Sequence, residues 1–180
     1  MDELVFNVAQ LMKAPVGTSL AYDFTEDDVH FDDELTVVGQ LGGHARMRRT
    51  NQGLLVDGWA ELLLKRTCDR CLKEFEQPLL VNFEEQFYPT IDVISGMPVA
   101  PFNKEEGFPI DEHHELDLTE AIRQNILTAL PMVALCQEDC KGLCPQCGHD
   151  LNLGPCECKP EIEPRWRALE RLLQNGSQQS

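Results

Sequence analysis

Apolar and polar positions alternate with a period of two in three successive stretches of this chain. From Leu35 onward, Val37, Gly39, Leu41, Gly43, Ala45 and Met47 share one face, and Thr36, Gln40, His44, Arg46 and Arg48 take the other. Thr50-Asn51-Gln52-Gly53 then has turn chemistry. The alternation resumes from Leu54 to Lys65, with Val56, Gly58, Ala60, Leu62 and Leu64 on one face. A third stretch sets Phe75, Leu79, Val81, Phe83 and Phe87 against Glu74, Glu76, Asn82, Glu84 and Gln86. Successive strand side chains point to opposite faces, so each stretch predicts a half-buried β-strand. The short turns predict an antiparallel meander, and parallel βαβ units are not supported.

The flanking segments are shorter. Leu4 to Val8 predicts a brief strand, Val8 to Lys13 a helical turn stopped by Pro15, and Ser19 to Phe24 a further strand. Pro89 to Glu115 reads as an irregular connection, with Pro98, Pro101, Gly107 and Pro109. Asp117-Leu118-Thr119-Glu120 has the form of a capping box, with Asp117 as the cap and Glu120 reaching back. Leu118, Ala121, Ile122, Ile126, Ala129 and Leu130 then form a helical stripe, ended by Pro131. Glu163-Pro164-Arg165-Trp166 opens a last short helix through Leu173, before a frayed tail from Asn175 to Ser180. The expected fold is α+β: an antiparallel β meander packed by one main helix, with a C-terminal zinc-knuckle segment and a short terminal helix. Its divisions are a core over 1–131, a cysteine-rich zinc-binding segment over 132–162 packed on that core, and the helix and tail over 163–180.

Composition narrows the classes. A chain of 180 residues that is 42% hydrophobic is not wholly disordered, and can bury one core with a metal-held appendage. The net charge of −16 repels nucleic acid overall, because RNA affinity rests on neutralising phosphates. A basic protein partner suits it better. Direct RNA binding is therefore expected to be weak, and any RNA or partner contact to fall on His44, Arg46, Arg48 and Arg49. Lys65, Arg66 and Arg70 form a separate basic stretch. The acidic run of Asp23, Glu26, Asp27, Asp28, Asp32, Asp33 and Glu34 reads as a solvated loop, and so does His113-His114 between Glu112 and Glu115. The sequence from Met1 to Asn7 has no secretory character, and no apolar run approaches the ~18–20 residues of a membrane span. The expected location is cytoplasmic, where thiols stay reduced.

That compartment gives the cysteines their meaning. They run Cys68-x2-Cys71, then Cys136-x3-Cys140-x3-Cys144-x2-Cys147-x8-Cys156-x-Cys158. Eight thiolates fill two tetrahedral zinc sites with none left over, and two-residue spacers let one turn aim two sulfurs at one ion. Cys144, Cys147, Cys156 and Cys158 form one expected structural site, with Gly148 permitting the tight turn. Cys68, Cys71, Cys136 and Cys140 remain for the other, which would join a hairpin tip to the end of the long helix. Cys140 in place of Cys144 breaks no spacing rule. Arg66, Arg70, Lys141 and Lys159 lie near enough in sequence to offset thiolate charge. Two occupied sites would take the net charge to about −20. A redox dithiol is the rival reading of Cys68-Asp69-Arg70-Cys71, but that motif normally opens a helix, and here it lies between two strands.

Cys68-Asp69-Arg70-Cys71-Leu72, the run from Cys140-Lys141-Gly142-Leu143-Cys144-Pro145-Gln146-Cys147-Gly148 to His149-Asp150-Leu151-Asn152, and Cys156-Glu157-Cys158 resemble the YceD family. This family is also called domain of unknown function 177, or the large ribosomal RNA subunit accumulation proteins. The likeness extends to Glu115-Leu116-Asp117-Leu118 leading into a helix that ends at Leu130-Pro131. It implies support for the synthesis, processing or stability of large-subunit ribosomal RNA in bacteria and plastids. Family members that lack most of the C-terminal cysteines imply that the second cluster does not carry the whole function.

Enzyme signatures are scarce. The chain has no glycine-rich phosphate loop, no His-Glu-x-x-His and no Gly-x-Ser-x-Gly. The expectation is a non-enzymatic ribosome biogenesis factor that binds a large-subunit ribosomal protein or an rRNA precursor, with no small-molecule substrate. The alternative is a zinc- or thiol-dependent enzyme acting on RNA, which needs an open metal position or a reactive Cys68.

Overall fold

In the computed structural model, which describes residues 4–27, 29–31, 35–99 and 107–158, a seven-stranded sheet runs in the order β1-β7-β6-β5-β4-β3-β2. Four strands dominate: β2 (Ser19–Asp27), β3 (Thr36–Arg49), β4 (Leu54–Thr67) and β5 (Glu74–Pro89). They pair antiparallel in sequence order, as the alternating pattern requires. Three short strands complete the sheet: β1 (Val5–Asn7), β6 (Phe108–Ile110) and β7 (Glu115–Asp117). The helices are α1 (Ala9–Lys13) and α2 (Thr119–Ala129).

One face of the sheet is the core. Leu41, Ala45, Met47, Leu54, Val56, Leu64 and Phe87 are buried there with Ala121, Ile122 and Ile126 of α2 and with Leu11 and Met12 of α1. Each large apolar side chain so buried contributes about 1.5–3 kcal/mol relative to exposure. Asn125 of α2 also donates a 2.9 Å hydrogen bond to Glu85 on β5. The sheet curls until its two edges meet, with the ring of Phe6 of β1 tilted 5.1 Å from Tyr22 and edge-on 6.5 Å from Phe24 of β2. The result is a half-barrel closed by aromatic contact rather than by a hydrogen-bonded seam. Among the described residues, α1 and α2 fill its inside and no element covers the outer face.

An irregularity in β3 preserves this sidedness. Val38 pairs with Leu63 and Gly42 with Glu61, so four steps along β3 match two along β4. An even offset keeps every side chain on its face, whereas a single-residue slip would invert them. Gly39 lies in this bulge at φ +73°, a conformation that glycine adopts without the steric cost of a Cβ.

Three expectations need correction. The connection after Pro89 is not wholly irregular, because it contains β6 and β7, and β6 runs parallel to β5. The sheet is therefore mixed, and only β2 to β5 form a meander. Three-residue strands, one centred on Pro109, carry no detectable period. The capping box forms only by half. Thr119 N–H donates to Asp117 Oδ1 at 2.8 Å, but Glu120 accepts from Arg123 at 2.8 Å and from Gln124 at 2.8 Å instead of reaching back. The acidic run also begins inside a strand, since Asp23, Glu26 and Asp27 belong to β2. Asp28, Asp32, Asp33, Glu34, Lys159, the expected helix from Glu163 to Leu173 and the tail from Asn175 to Ser180 lie outside the described residues.

Candidate metal centres

The β4–β5 hairpin ends in the first cysteine pair. Cys68 N–H donates to Lys73 O at 2.9 Å and Leu72 N–H to Cys68 O at 2.9 Å, which closes the tip. Leu72 takes φ +59°, the left-handed conformation that reverses the chain there. The segment leaving α2 docks on this tip through Asp69. Its N–H donates to Ala134 O at 2.8 Å, and its Oδ2 accepts from Ala134 N–H at 2.6 Å. Arg70 adds a 2.7 Å hydrogen bond to Cys140 O. The two residues between Cys68 and Cys71 are thus a clamp that brings up the second pair. Cysteine spacing alone does not reveal this role of Asp69, and its place inside the pair is the only signal in the sequence.

The sulfurs then converge. Cys68 Sγ lies 3.8 Å from Cys140 Sγ, and Cys71 Sγ lies 3.6 Å from Cys136 Sγ. All four sulfurs are within 4.8 Å of one another. A tetrahedron with metal–sulfur bonds of about 2.3 Å has an edge of about 3.8 Å, so the spacing fits one ion. A disulfide would bring two sulfurs to about 2.05 Å, and all eight cysteines are free. Cys68, Cys71 and Cys140 are buried among Phe75, Leu135 and Leu143.

Cys144, Cys147, Cys156 and Cys158 form a second set with the same mutual limit of 4.8 Å. Its knuckle is held by Cys144 N–H to His149 O at 2.8 Å and Gly148 N–H to Cys144 O at 2.9 Å, with Gly148 at φ +73°. This cluster is more open: Cys144 is buried, Cys147 exposed, and Cys156 and Cys158 half-buried. Cys140 sits with Cys68, not in place of Cys144.

The two clusters share a seam. Leu143 N–H donates to Arg70 O at 3.1 Å, and Asn152 Nδ2 approaches Cys140 Sγ at 3.5 Å. Asn152 Oδ1 accepts Lys141 N–H at 2.8 Å, and Leu151 N–H donates to Gly142 O at 2.9 Å. The Gly142-Leu143 and Asp150-Leu151-Asn152 elements therefore tie one cluster to the other. Of the cations expected to offset thiolate charge, Arg70 donates to the Cys140 carbonyl rather than to a sulfur, and Arg66 turns to Gln77 at 3.2 Å.

In each cluster one thiol is lowered and others are raised. Burial pushes the Cys68 thiol up, but the N–H groups of Cys136, Cys71 and Arg70 outweigh it and bring the pKa down to about 6. The N–H groups of Cys147 and Gln146 likewise lower Cys144 to about 6. Burial and the neighbouring sulfurs push Cys136 up to about 12, and Cys147 beside it with burial pushes Cys158 to about 12. A divalent cation would reverse this mutual suppression, because thiolate ligands are stabilised by the ion.

The candidate contact residues do not form a free basic patch. Arg46 and Arg48 both bind Asp57, at 2.8 and 3.2 Å, and His44 pairs with Asp23 at 2.7 Å. Arg49 does not join them. It donates to the carbonyls of Met12 at 3.1 Å and Gly53 at 2.9 Å, and to that of Thr50, fastening α1 to the β3–β4 turn. Asp57, raised by burial, is nevertheless held below the usual carboxylate range by Arg46 and Arg48. His113 is exposed and His114 makes the turn before β7 at φ +62°, and neither belongs to a metal cluster among the described residues.

No helix among the described residues is long and apolar enough to cross a membrane. An uncharacterized protein of Mycobacterium tuberculosis is 29% identical over 174 residues, covering 94% of this chain and 81% of that protein. The chloroplastic protein of Arabidopsis thaliana named large ribosomal RNA subunit accumulation protein YCED homolog 1 is 27% identical over 135 residues, covering 63% of this chain and 42% of its own. Protein YlbN of Bacillus subtilis is 29% identical over 122 residues, covering 66% and 64%. No solved structure matches the chain. The family described as large ribosomal RNA subunit accumulation protein YceD matches residues 56–173, from within β4 through both cysteine clusters. The chain belongs to the YceD family.

Proposed function

We propose that this protein supports the accumulation of large-subunit ribosomal RNA by binding, without chemistry of its own. The observation that carries this reading is the family match over residues 56–173, which takes in both thiol clusters and the helix that joins the two halves of the first. Each cluster takes a zinc ion in a closed four-sulfur shell, so no coordination position remains to activate water. The ions are structural: they hold residues 132–162 against the core over 1–131. The contact is a large-subunit ribosomal protein or an rRNA precursor. The net charge of −16 favours the basic protein, as does the pairing of Arg46 and Arg48 with Asp57. The place of action is the cytoplasm.

The test is a deletion strain in which large-subunit particles are measured on gradients. Fewer large subunits, restored by the full chain, are expected. Normal levels without the protein would sink the proposal. RNA cleavage by the purified chain, abolished by chelation, would favour a zinc- or thiol-dependent enzyme instead.

A further inference from the structure

The outer face of β3, β4 and β5 carries an apolar stripe that no described element covers. The register sets Trp59 opposite Asn82, Glu61 opposite Leu80 and Leu63 opposite Pro78. Directly opposed residues share a face, and diagonal neighbours about 7–8 Å apart remain within reach of long side chains. Trp59, Leu80 and Leu63 therefore make a zigzag across two strands, 39%, 61% and 38% exposed respectively. Two open depressions of about 580 and 430 Å³ lie along it, one beside Trp59 and Asn82, the other beside Leu63 and Pro78. Among the described residues the core face has its helices, and this face has none.

The charges around the stripe have one sign to spare. Asp57 engages Arg46 and Arg48, and Glu74 engages Lys65 at 3.0 Å, so the cations of this face are neutralised at home. Glu61 and Glu76 have no ion pair among the described residues, and Glu84 adds only a longer-range pull on Arg46. Glu61 stands within the stripe, between Trp59 and Leu63 on β4. Phosphate would meet carboxylates here. A cationic segment with an apolar side would find both of its needs met.

We infer that this face docks a basic amphipathic polypeptide segment, with its apolar side chains over Trp59, Leu63 and Leu80 and its Lys or Arg residues on Glu61, Glu76 and Glu84. The inference rests on the proposed function and gives the partner's site a location. The location borders His44, Arg46 and Arg48 on the same face, with Trp59 directly opposite His44, but differs from them in chemistry.

The test uses the metal-loaded full chain. Trp166→Phe leaves Trp59 as the sole tryptophan of the two in the sequence, so its emission reports on the face. The probe is a synthetic amphipathic peptide of leucine and lysine. Its controls are a peptide of the same charge with serine for leucine, and a single-stranded RNA oligonucleotide. The Leu/Lys peptide should bind with a blue shift, and Leu63→Ser with Leu80→Ser should weaken it at least about tenfold. Glu61→Lys with Glu76→Lys should weaken it by a similar factor at low salt and by less at high salt. Both pairs alter exposed positions, and unchanged thermal melting will show that the fold survives. Tight binding of the RNA at this face, equal binding of the serine peptide, or indifference to both variant pairs would overturn the inference.

A cell experiment separates it from the reading beneath it. Cells whose only copy carries Leu63→Ser and Leu80→Ser should lose large subunits toward the level of the deletion strain. Full restoration by this variant, where deletion causes loss, refutes the docking face alone. Normal large subunits in the deletion strain itself refute the proposed function.

Discussion

The first thiol cluster draws its ligands from a hairpin tip and from the segment beyond α2, with Cys68 and Cys140 separated by 72 positions, whereas the second takes all four from residues 144–158. Loop closure alone does not explain how differently they should behave. Going from the second cluster's span to a 65-position separation such as that of Cys71 and Cys136 is about two doublings, or roughly 1.3 kcal/mol. Burial and clamping matter more. The first cluster is packed among Phe75, Leu135 and Leu143 and held by Asp69 and Arg70, while Cys147 of the second faces solvent. The same donor set can therefore join elements of a fold in one place and merely shape a loop in another.

Removing both ions should have the largest effect and expose the difference in time. A chelator that reports metal release should draw out two zinc ions per chain, the second cluster's first, and leave eight titratable thiols where the loaded chain has none. The pH dependence has a definite sign. Cys136 and Cys158, pushed up to about 12, keep their protons until metal arrives, so binding releases protons and affinity rises with pH. Simultaneous release from both clusters, or affinity that falls between pH 6 and 8, would contradict the picture.

Single-ligand variants divide the effect. Cys68→Ser should lower the melting temperature by roughly 6–15 °C, the equivalent of about 3–4 kcal/mol in a chain of this size. It loosens the joint between the β4–β5 hairpin and the segment leaving α2. Cys147→Ser should cost one ion and open residues 144–158 to proteolysis, yet move the melting temperature of the sheet by less than about 3 °C. Equal losses in the two variants would erase the distinction.

Much of this was legible in the sequence, for identifiable reasons. The strands β3, β4 and β5 are long enough for a period-two pattern to be unmistakable, and the bulge at Gly39 preserves parity, so it hid nothing. The cysteine spacing grouped the thiols because two-residue spacers are local devices. The parallel pairing of β6 with β5 was not legible, since three residues around Pro109 have no period and their partner is chosen by tertiary packing. Nor was the fate of the arginines. That Arg46 and Arg48 meet Asp57 depends on register, which places Asp57 directly opposite Arg46. Arg49 follows them in sequence but falls on the other face.

The seam between the clusters should give an intermediate effect. Gly142 sits at φ +73°, and a Cβ there would come within 2.9 Å of Arg70 O. Gly142→Ala should cost about 1–2 kcal/mol through backbone strain and this contact. It should speed metal loss from both clusters, because Gly142 lies between Cys140 and Cys144. Faster loss from the second cluster alone would mean that the seam carries no coupling.

The smallest effect should come from a site far along the sheet, where neither cluster is touched. Asp57 accepts from Arg46 and Arg48 on the exposed face, a position where ion pairs contribute little. Asp57→Asn should therefore lower the melting temperature by no more than about 2–3 °C at neutral pH and leave the rate of metal release from both clusters unchanged. Its sign with pH follows from the depressed carboxyl. The folded state holds the proton less tightly than the unfolded chain, so the contribution is fully present above the ordinary carboxylate value of about 4 and fades as pH falls below it. The gap between the parent and Asp57→Asn should be constant from pH 8 to about pH 5 and shrink below that. Metal loss in acid affects both chains alike, so the difference between their melting temperatures still isolates Asp57. A gap that widens in acid would mean that Asp57 is protonated in the folded protein, and altered metal release in this variant would show that the sheet transmits strain to the clusters.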